Sequence, residues 1–340
     1  DLKLIAEHFN NFFHSVFAKA SLNTPQKRVF QPNEVDFISY SGVFAMILKL
    51  NTKSSCGPDN IPNVFLRRYA ESIAHFVTVL FRCSLSSAKL PSDWKRARVV
   101  PVFKKGNHLL VENYRPISLT SPICKMLEHV ISKRVVEFLE QNSILTNFQH
   151  GFRKGYSTVT QLVSVVHSFA ETLDKNGQMD VIFLDFSKAF DKVIHHKLLA
   201  KLRDINLPDI FIAWIQHYLT ERSQFVSVDG NNSSSLPVTS GVPQGSVLGP
   251  LLFLIYVNDI VNTVLPGTQI RLFADDCVLF RQITCSNDQQ NLNLSLNNIL
   301  NWCNDNDMAL NAQKTVYLGI TRSKTPLHFT YNLGSSSLKQ

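Results

Sequence analysis

At 340 residues the chain is long for one small unit and leads to an expectation of two. A hydrophobic share of 44% beside 18% charged residues supplies a sizeable core and excludes disorder, and thirteen Gly with fourteen Pro in no period exclude collagen-like and low-complexity classes. Thirty-four Lys and Arg against 26 Asp and Glu give a net charge of +8, which points to a polyanionic partner, while the longest strongly apolar run, Leu251 to Val257, is too short to span a bilayer.

No charged segment followed by an apolar run opens the chain, so no signal peptide is read, and a first residue of Asp suits a fragment. The first periodic pattern (Leu4, Ile5, Phe9, Phe12, Phe13, Phe17) predicts a helix, and the polar stretch with Pro25 and Pro32 predicts a linker. Lys53 to Pro62 is rich in turn formers. Behind it Phe65, Leu66, Tyr69, Ile73, Phe76, Val77 and Leu80 predict one helix with those residues on its buried face. Arg98 to Phe103 predicts a strand, with Pro101 implying an edge or a bulge. Ile123 to Leu139, Thr158 to Leu173 and Pro208 to Leu219 predict helices, and Val181 to Leu184 a short buried strand ending at Asp185. Gln224 to Val228 and Leu236 to Val238 predict a hairpin, and Val247 to Ile260 a buried helix. Ile270 to Phe273 and Val278 to Phe280 predict a second hairpin whose turn holds Ala274 to Cys277. A last helix over Leu292 to Cys303 and a last strand over Val316 to Ile320 complete an α+β pattern. The six cysteines have neither C-x-x-C spacing nor a His cluster, so they predict small core hydrophobes in a reducing compartment and no zinc site. Basic residues cluster: Arg82 to Arg115 holds eight Lys or Arg against two acids, and Ile283 to Gln313 holds none.

If the strand ending at Asp185 lies beside the hairpin carrying Asp275 and Asp276, three carboxylates meet. Two unit charges about 4 Å apart repel by roughly 4 kcal/mol at an effective dielectric near 20. Hard divalent cations remove that cost, and Mg²⁺ needs one or two carboxylates plus phosphates. Asp-Asp in a turn is common by itself, because Asp caps local backbone groups. The joint occurrence of further segments changes the weighing.

LDFSKAFD (Leu184 to Asp191), SGVPQGSVLGP (Ser240 to Pro250) and FADD (Phe273 to Asp276) occur in that order and resemble motifs A, B and C of reverse transcriptases, specifically those of non-LTR (LINE-type) retrotransposons. NYRPISLTSPICKMLEHVI (Asn113 to Ile131) and QHGFRKGYST (Gln149 to Thr158) resemble the upstream fingers motifs of that group. KSSCGPDNIP (Lys53 to Pro62) resembles its N-terminal extension motif, and Trp302 with LNAQKT (Leu310 to Thr315) its motif D. The resemblance runs from about residue 53 to 320. It implies the fingers and palm of a right-hand polymerase fold with little or no thumb in this chain. The implied layout is an N-terminal helical extension and linker (1–52), fingers (53–178), palm with motif A (179–194), a fingers/palm insertion with a hairpin (195–243), palm with motifs B, C and D (244–325), and a truncated C-terminal segment (326–340).

The resemblance also implies roles. Asp185, Asp275 and Asp276, with the Phe186 carbonyl, would hold two Mg²⁺ ions, with Mn²⁺ as a substitute. Phe190 would exclude a ribose 2′-hydroxyl. Gln244 and Gly245 would line the nucleotide pocket. Lys104 or Lys105, with Arg115, would meet the triphosphate, Arg as a planar fork and Lys as a mobile charge. Lys314 would protonate the leaving pyrophosphate, and Arg153 would contact template or support the fingers. Substrates would be an RNA template, a DNA or RNA primer and dNTPs, with no membrane partner. An endonuclease and a thumb would complete the full-length protein, an intracellular one, nuclear or cytoplasmic. Three alternatives stand beside this reading. An intron-encoded maturase-type enzyme fits SLTSPICKMLEHVI less well, and an RNA-dependent RNA polymerase is disfavoured by Phe190. A truncated or domesticated copy that only binds RNA is weakened by the retention of all three carboxylates.

Overall fold

The computed structural model describes residues 1–18 and 36–340. The stretch read as a linker, with Pro25 and Pro32, lies outside the described residues. By its contacts the chain divides into two units, residues 1–142 with 190–252 and residues 143–189 with 253–340.

The first unit begins with α1 (Leu2–Ser15). The Asp1 carboxylate accepts the Lys3 amide at 2.9 Å and caps it, and Ala6, Phe9 and Phe13 form its buried stripe. That stripe packs on Val99 and Val226 of a mixed sheet. Its strands run in the order β2 (Tyr114–Leu119), β1 (Arg96–Phe103), β4 (Arg222–Val228), and both β5 (Asn231–Asn232) and β6 (Leu236–Val238) pair with β4. Strand β1 is central in this order, but Pro101 lies past its pairing with β4, on the kind of local edge expected of it. It is tolerated because β1 pairs with β4 only over Arg96 to Val99, so beyond that point β1 has one open side.

The helix expected over Phe65 to Leu80 is two, α3 (Asn63–Arg68) and α4 (Ala70–Ser86), broken at Tyr69, whose ψ is 27°. The buried face of α4 is Ala70, Ala74, Val77, Phe81 and Leu85, and Phe76 is 77% exposed, so the expected face is rotated. Helix α2 (Tyr40–Leu48) and α8 (Asp209–Leu219) both pack on α4, where the Trp214 indole donates to Ser84 Oγ at 3.0 Å. Helix α5 (Pro122–Gln141) buries Leu127, Ile131, Val135 and Leu139. Strand β2 and helix α7 (His195–Asp204), which packs on α8, were not anticipated from periodicity.

The second unit is built on an antiparallel sheet in the order β7 (Gln269–Phe273), β8 (Asp276–Ile283), β3 (Gln178–Leu184), β9 (Val316–Thr321). Helix α6 (Thr158–Asp174) starts at a reciprocal cap, Ser157 Oγ accepting the Thr160 amide and Thr160 Oγ1 accepting the Ser157 amide. It lays Val165 and Phe169 on Met179, Val181 and Phe280. The alternate residues of β8 face the other way, where Cys277 lies near Cys303 of α10 (Ser286–Asp305). The run Leu251 to Val257, within α9 (Leu248–Val257), is buried throughout, as its apolar composition demands.

Residues 326–340 form part of this unit. The short hairpin β10 (Asn332–Leu333) and β11 (Ser336–Ser337) packs on α10, and Tyr331 is buried. The Tyr331 hydroxyl donates to Asp180 Oδ2 at 2.6 Å, while Gln178 and Gln289 donate to the same fully buried carboxylate. Cys124, Cys277 and Cys303 are buried, as expected, but Cys83 and Cys285 are exposed on helix and loop surfaces and are not core residues. No helix among the described residues is long and apolar enough to cross a membrane.

Candidate active site

The register of the second unit's sheet decides where the carboxylates lie. Leu184 pairs with Cys277, so Asp185, one residue on, stands level with Asp276. Phe183 pairs with Val278, and alternation puts Asp185 on the Phe183 face and Asp276 on the Val278 face, which are one face. Asp276 is paired with Phe273 and heads β8, so the turn is two residues, Ala274 and Asp275, shorter than the four expected. A cavity of about 310 Å³ opens on this face between α6 and the sheet, lined by Leu162, Phe183, Arg271, Phe273 and Asp276.

The backbone around Asp185 is braced by residues 309–311. The Asp185 carbonyl accepts the Asn311 amide at 2.8 Å, and the Ser187 amide donates to the Ala309 carbonyl at 2.7 Å. Phe186 bridges Leu310 between those two bonds, so its own carbonyl is not an acceptor of the bridge. The turn that follows brings Lys314 Nζ to 3.5 Å from Asp185 Oδ2. Both side chains are well exposed, so this is a screened pair and not a structural anchor. Among the described residues no three His, Cys, Asp or Glu side chains converge to cage an ion by themselves. Adjacent hard oxygen donors, one of them already drawing an ammonium group, nevertheless fit an ion that completes its shell with substrate phosphates.

The turn itself is held from outside the hairpin. Ala274 has φ +57°, a conformation that costs a non-glycine residue roughly 1–2 kcal/mol. Gln149, 2% exposed, accepts the Ala274 amide at 2.9 Å on Oε1 and donates from Nε2 to the Ala274 carbonyl at 3.2 Å. A Cβ on Gly151 would come within 2.3 Å of the Ala274 nitrogen, so only glycine allows that approach. Arg153 is turned inward: it donates to the Thr146 carbonyl at 2.7 Å, stacks over Tyr156 and is 9% exposed. These contacts make it a support of its own loop, one of the two roles expected of it.

The remaining expected residues lie in the first unit. Phe190 is half-buried in the 3-10 turn Ala189–Lys192, and its carbonyl accepts the Val242 amide at 2.9 Å. Gln244 donates from Nε2 to Asp191 Oδ1 at 2.9 Å, and its carbonyl accepts the Ser118 amide at 2.7 Å. Gly245, at φ +111°, passes so close to Ser118 that a Cβ would lie 2.7 Å from its carbonyl oxygen. Ser118 is three residues, about 10 Å, along β2 from the exposed Arg115. The Lys104 amide donates to the Asn113 carbonyl at 2.8 Å, which puts Lys104 and Lys105 at Arg115's end of the β1–β2 pair. One end of β2 is thus basic, and its other end is tied to the Gln244 loop.

Three supporting residues were missed by the sequence reading: Gln149, Asp191 and Glu128. Glu128 is fully buried, and its Oε2 accepts the Val247 and Leu248 amides at 2.8 and 3.1 Å, at the start of α9. Its signal was present, a lone acid on the Cys124–Glu128–Ile131 face of an apolar helix.

A family model described as "Reverse transcriptase (RNA-dependent DNA polymerase)" matches residues 102–330. The chain belongs to the reverse transcriptase family. Its relatives include RNA-directed DNA polymerases of mobile elements. It is 31% identical over 280 residues to the probable RNA-directed DNA polymerase from transposon BS of Drosophila melanogaster, covering 79% of this chain and 31% of that protein. It is 32% identical to the RNA-directed DNA polymerase from mobile element jockey of the same species, covering 79% and 30%, and 32% identical to that of the X-element, covering 72% and 27%. The chain thus spans about a third of the length of these relatives. Reverse transcriptases are nucleotidyltransferases, and the matched span includes Asp185, Gln244 and the Asp275–Asp276 turn.

Proposed function

We propose that this chain is the RNA-directed DNA polymerase segment of a non-LTR retrotransposon protein. It would extend a primer 3′-hydroxyl with dNTPs on an RNA template, with fingers over 53–178 and palm over 179–194 and 244–325. The observation that carries the reading is the register that sets Asp185 level with Asp276 on one face of the second unit's sheet.

Asp185, Asp275 and Asp276, with the Phe186 carbonyl, would hold divalent cations, Mg²⁺ with Mn²⁺ as substitute. Bound there, such ions supply Lewis-acid activation of the attacking hydroxyl and charge neutralisation at the leaving pyrophosphate. The protein's own contribution is positioning and electrostatics. Arg115 with Lys104 or Lys105 meets the triphosphate, Gln244 and Gly245 line the nucleotide pocket, and Phe190 blocks a 2′-hydroxyl. Lys314, whose Nζ lies 3.5 Å from Asp185 Oδ2, would serve as proton donor to the leaving group. Template and primer are gripped through phosphates by the exposed basic residues.

Primer extension on an RNA template with Mg²⁺ and dNTPs tests this. Extension by the parent, reduced at least about a thousandfold in the Asp275→Ala, Asp276→Ala variant, is expected. Equal rates in the two proteins would overturn the carboxylate assignment.

A further inference from the structure

The turn between β7 and β8 is built against the preference of its sequence. A two-residue hairpin turn with its first residue in the left-handed region favours glycine, and this one has Ala274 at φ +57°. The conformation at a Cα is the relative orientation of the two peptide planes that flank it. Gln149 holds both. The Ala274 N–H belongs to the plane before the Cα and the Ala274 C=O to the plane after it, and one carboxamide engages the two together. The same Oε1 also accepts the Gly151 amide at 2.7 Å, which fixes the carboxamide in turn. Flanking bonds press the two segments together: the His150 amide donates to the Leu272 carbonyl and the Leu272 amide to the Phe148 carbonyl, at 2.9 and 2.8 Å.

We infer that Gln149 is the positioning residue of the carboxylate turn. By clamping Ala274 in the left-handed conformation, it fixes the direction in which the chain enters Asp275 and Asp276, and so the aim of the two carboxylates. The inference rests on the polymerase reading of that turn. Few side chains can do this. The carboxamide offers a donor and an acceptor side by side in one rigid plane; a carboxylate accepts only and a lysine donates only. A carboxylate at 149 would face the Ala274 carbonyl with like partial charge. Burial of Gln149 excludes water as a substitute partner, so its loss leaves the turn free to relax to an ordinary conformation.

Two measurements on this chain test the idea. The first is hydrogen exchange of the segment 273–276, in the parent and in Gln149→Ala. The Ala274 amide is expected to exchange slowly in the parent and much faster in the variant. The second is single-nucleotide incorporation with Gln149→Ala, Gln149→Glu and the double variant Gln149→Ala, Ala274→Gly. Gln149→Ala is expected to lower kcat about ten- to a hundredfold with the dNTP KM changed less than about threefold. Gln149→Glu does no better. Glycine at 274 adopts the left-handed conformation without strain, so the double variant recovers at least about tenfold of the loss. A residue that merely packs would not be rescued by that change. Unaltered exchange at Ala274 in Gln149→Ala, or a kcat loss that glycine at 274 fails to restore in a folded protein, overturns the inference. A parent that incorporates nothing overturns the polymerase reading instead, and the exchange measurement alone then decides the clamp.

Discussion

Phe190 is one of 24 phenylalanines in the chain, and its residue type alone does not distinguish it from core. Its setting does: half-buried, on a 3-10 turn whose carbonyls are tied to residues 240–242, beside an aspartate that holds Gln244. The gate role proposed for Phe190 rests on that setting. Phe190→Ala is expected to raise ribonucleotide incorporation relative to deoxynucleotide by about tenfold or more, read from kcat/KM for each nucleotide. An unchanged ratio removes the gate. At this scale the candidate site residues were legible because they sit in contiguous motifs. The sequence did not disclose those that hold them. Gln149 meets Ala274 across 125 positions, Glu128 meets Val247 across 119, and Asp191 meets Gln244 across 53. Such contacts are set by the tertiary fold and leave no local pattern. Arg153 shows the converse: its motif was legible and its inward direction was not.

Among elements, the joins carry the energetic interest. Tyr331 fastens the terminal hairpin to the sheet through a 2.6 Å bond to buried Asp180. Tyr331→Phe leaves that carboxylate short of a donor and is expected to cost about 1–3 kcal/mol, read as a lower urea midpoint. Asp288 joins β8 to α10. Burial raises its pKa, but hydrogen bonds from the Thr284 hydroxyl and amide, from Arg281 and from the Cys285 amide outweigh that and hold it well below the usual carboxylate range. Its folded pKa is therefore depressed, so its contribution is present above the unfolded value of about 3.9 and declines as pH falls through and below it. Asp288→Asn should flatten the stability profile in that acid window; an unaltered slope there would show that the cap carries no such linkage. The sequence located most elements because their periodicity was strong. It missed β2, whose Pro116 and half-buried residues blur alternation, and α7, which is short and rich in His and Lys. It rotated the face of α4 because large side chains were taken as the buried ones, whereas Ala70 and Ala74 are.

For the whole molecule, the excess of eight positive charges predicts a binding constant dominated by phosphate contacts. Affinity for a primed RNA template should fall linearly with salt on logarithmic axes, by about a thousandfold between 50 and 200 mM for six contacts. A flat salt response would count against a phosphate grip. The two-part division expected from length is present, but each part is discontinuous: the chain passes between units at 142/143, 189/190 and 252/253. On a ribosome this order has a cost. The first unit lacks β4 until residues 222–228 emerge, and the central strand β3 of the second waits for β8 and β9, about a hundred residues later. Neither unit can be completed before the other has begun, so the nascent chain carries an unpaired β3 until residues 276–283 have been made. A chain arrested after β3 has left the ribosome and before β8 has would display a strand with both edges open, the species on which chaperones act and from which aggregates grow.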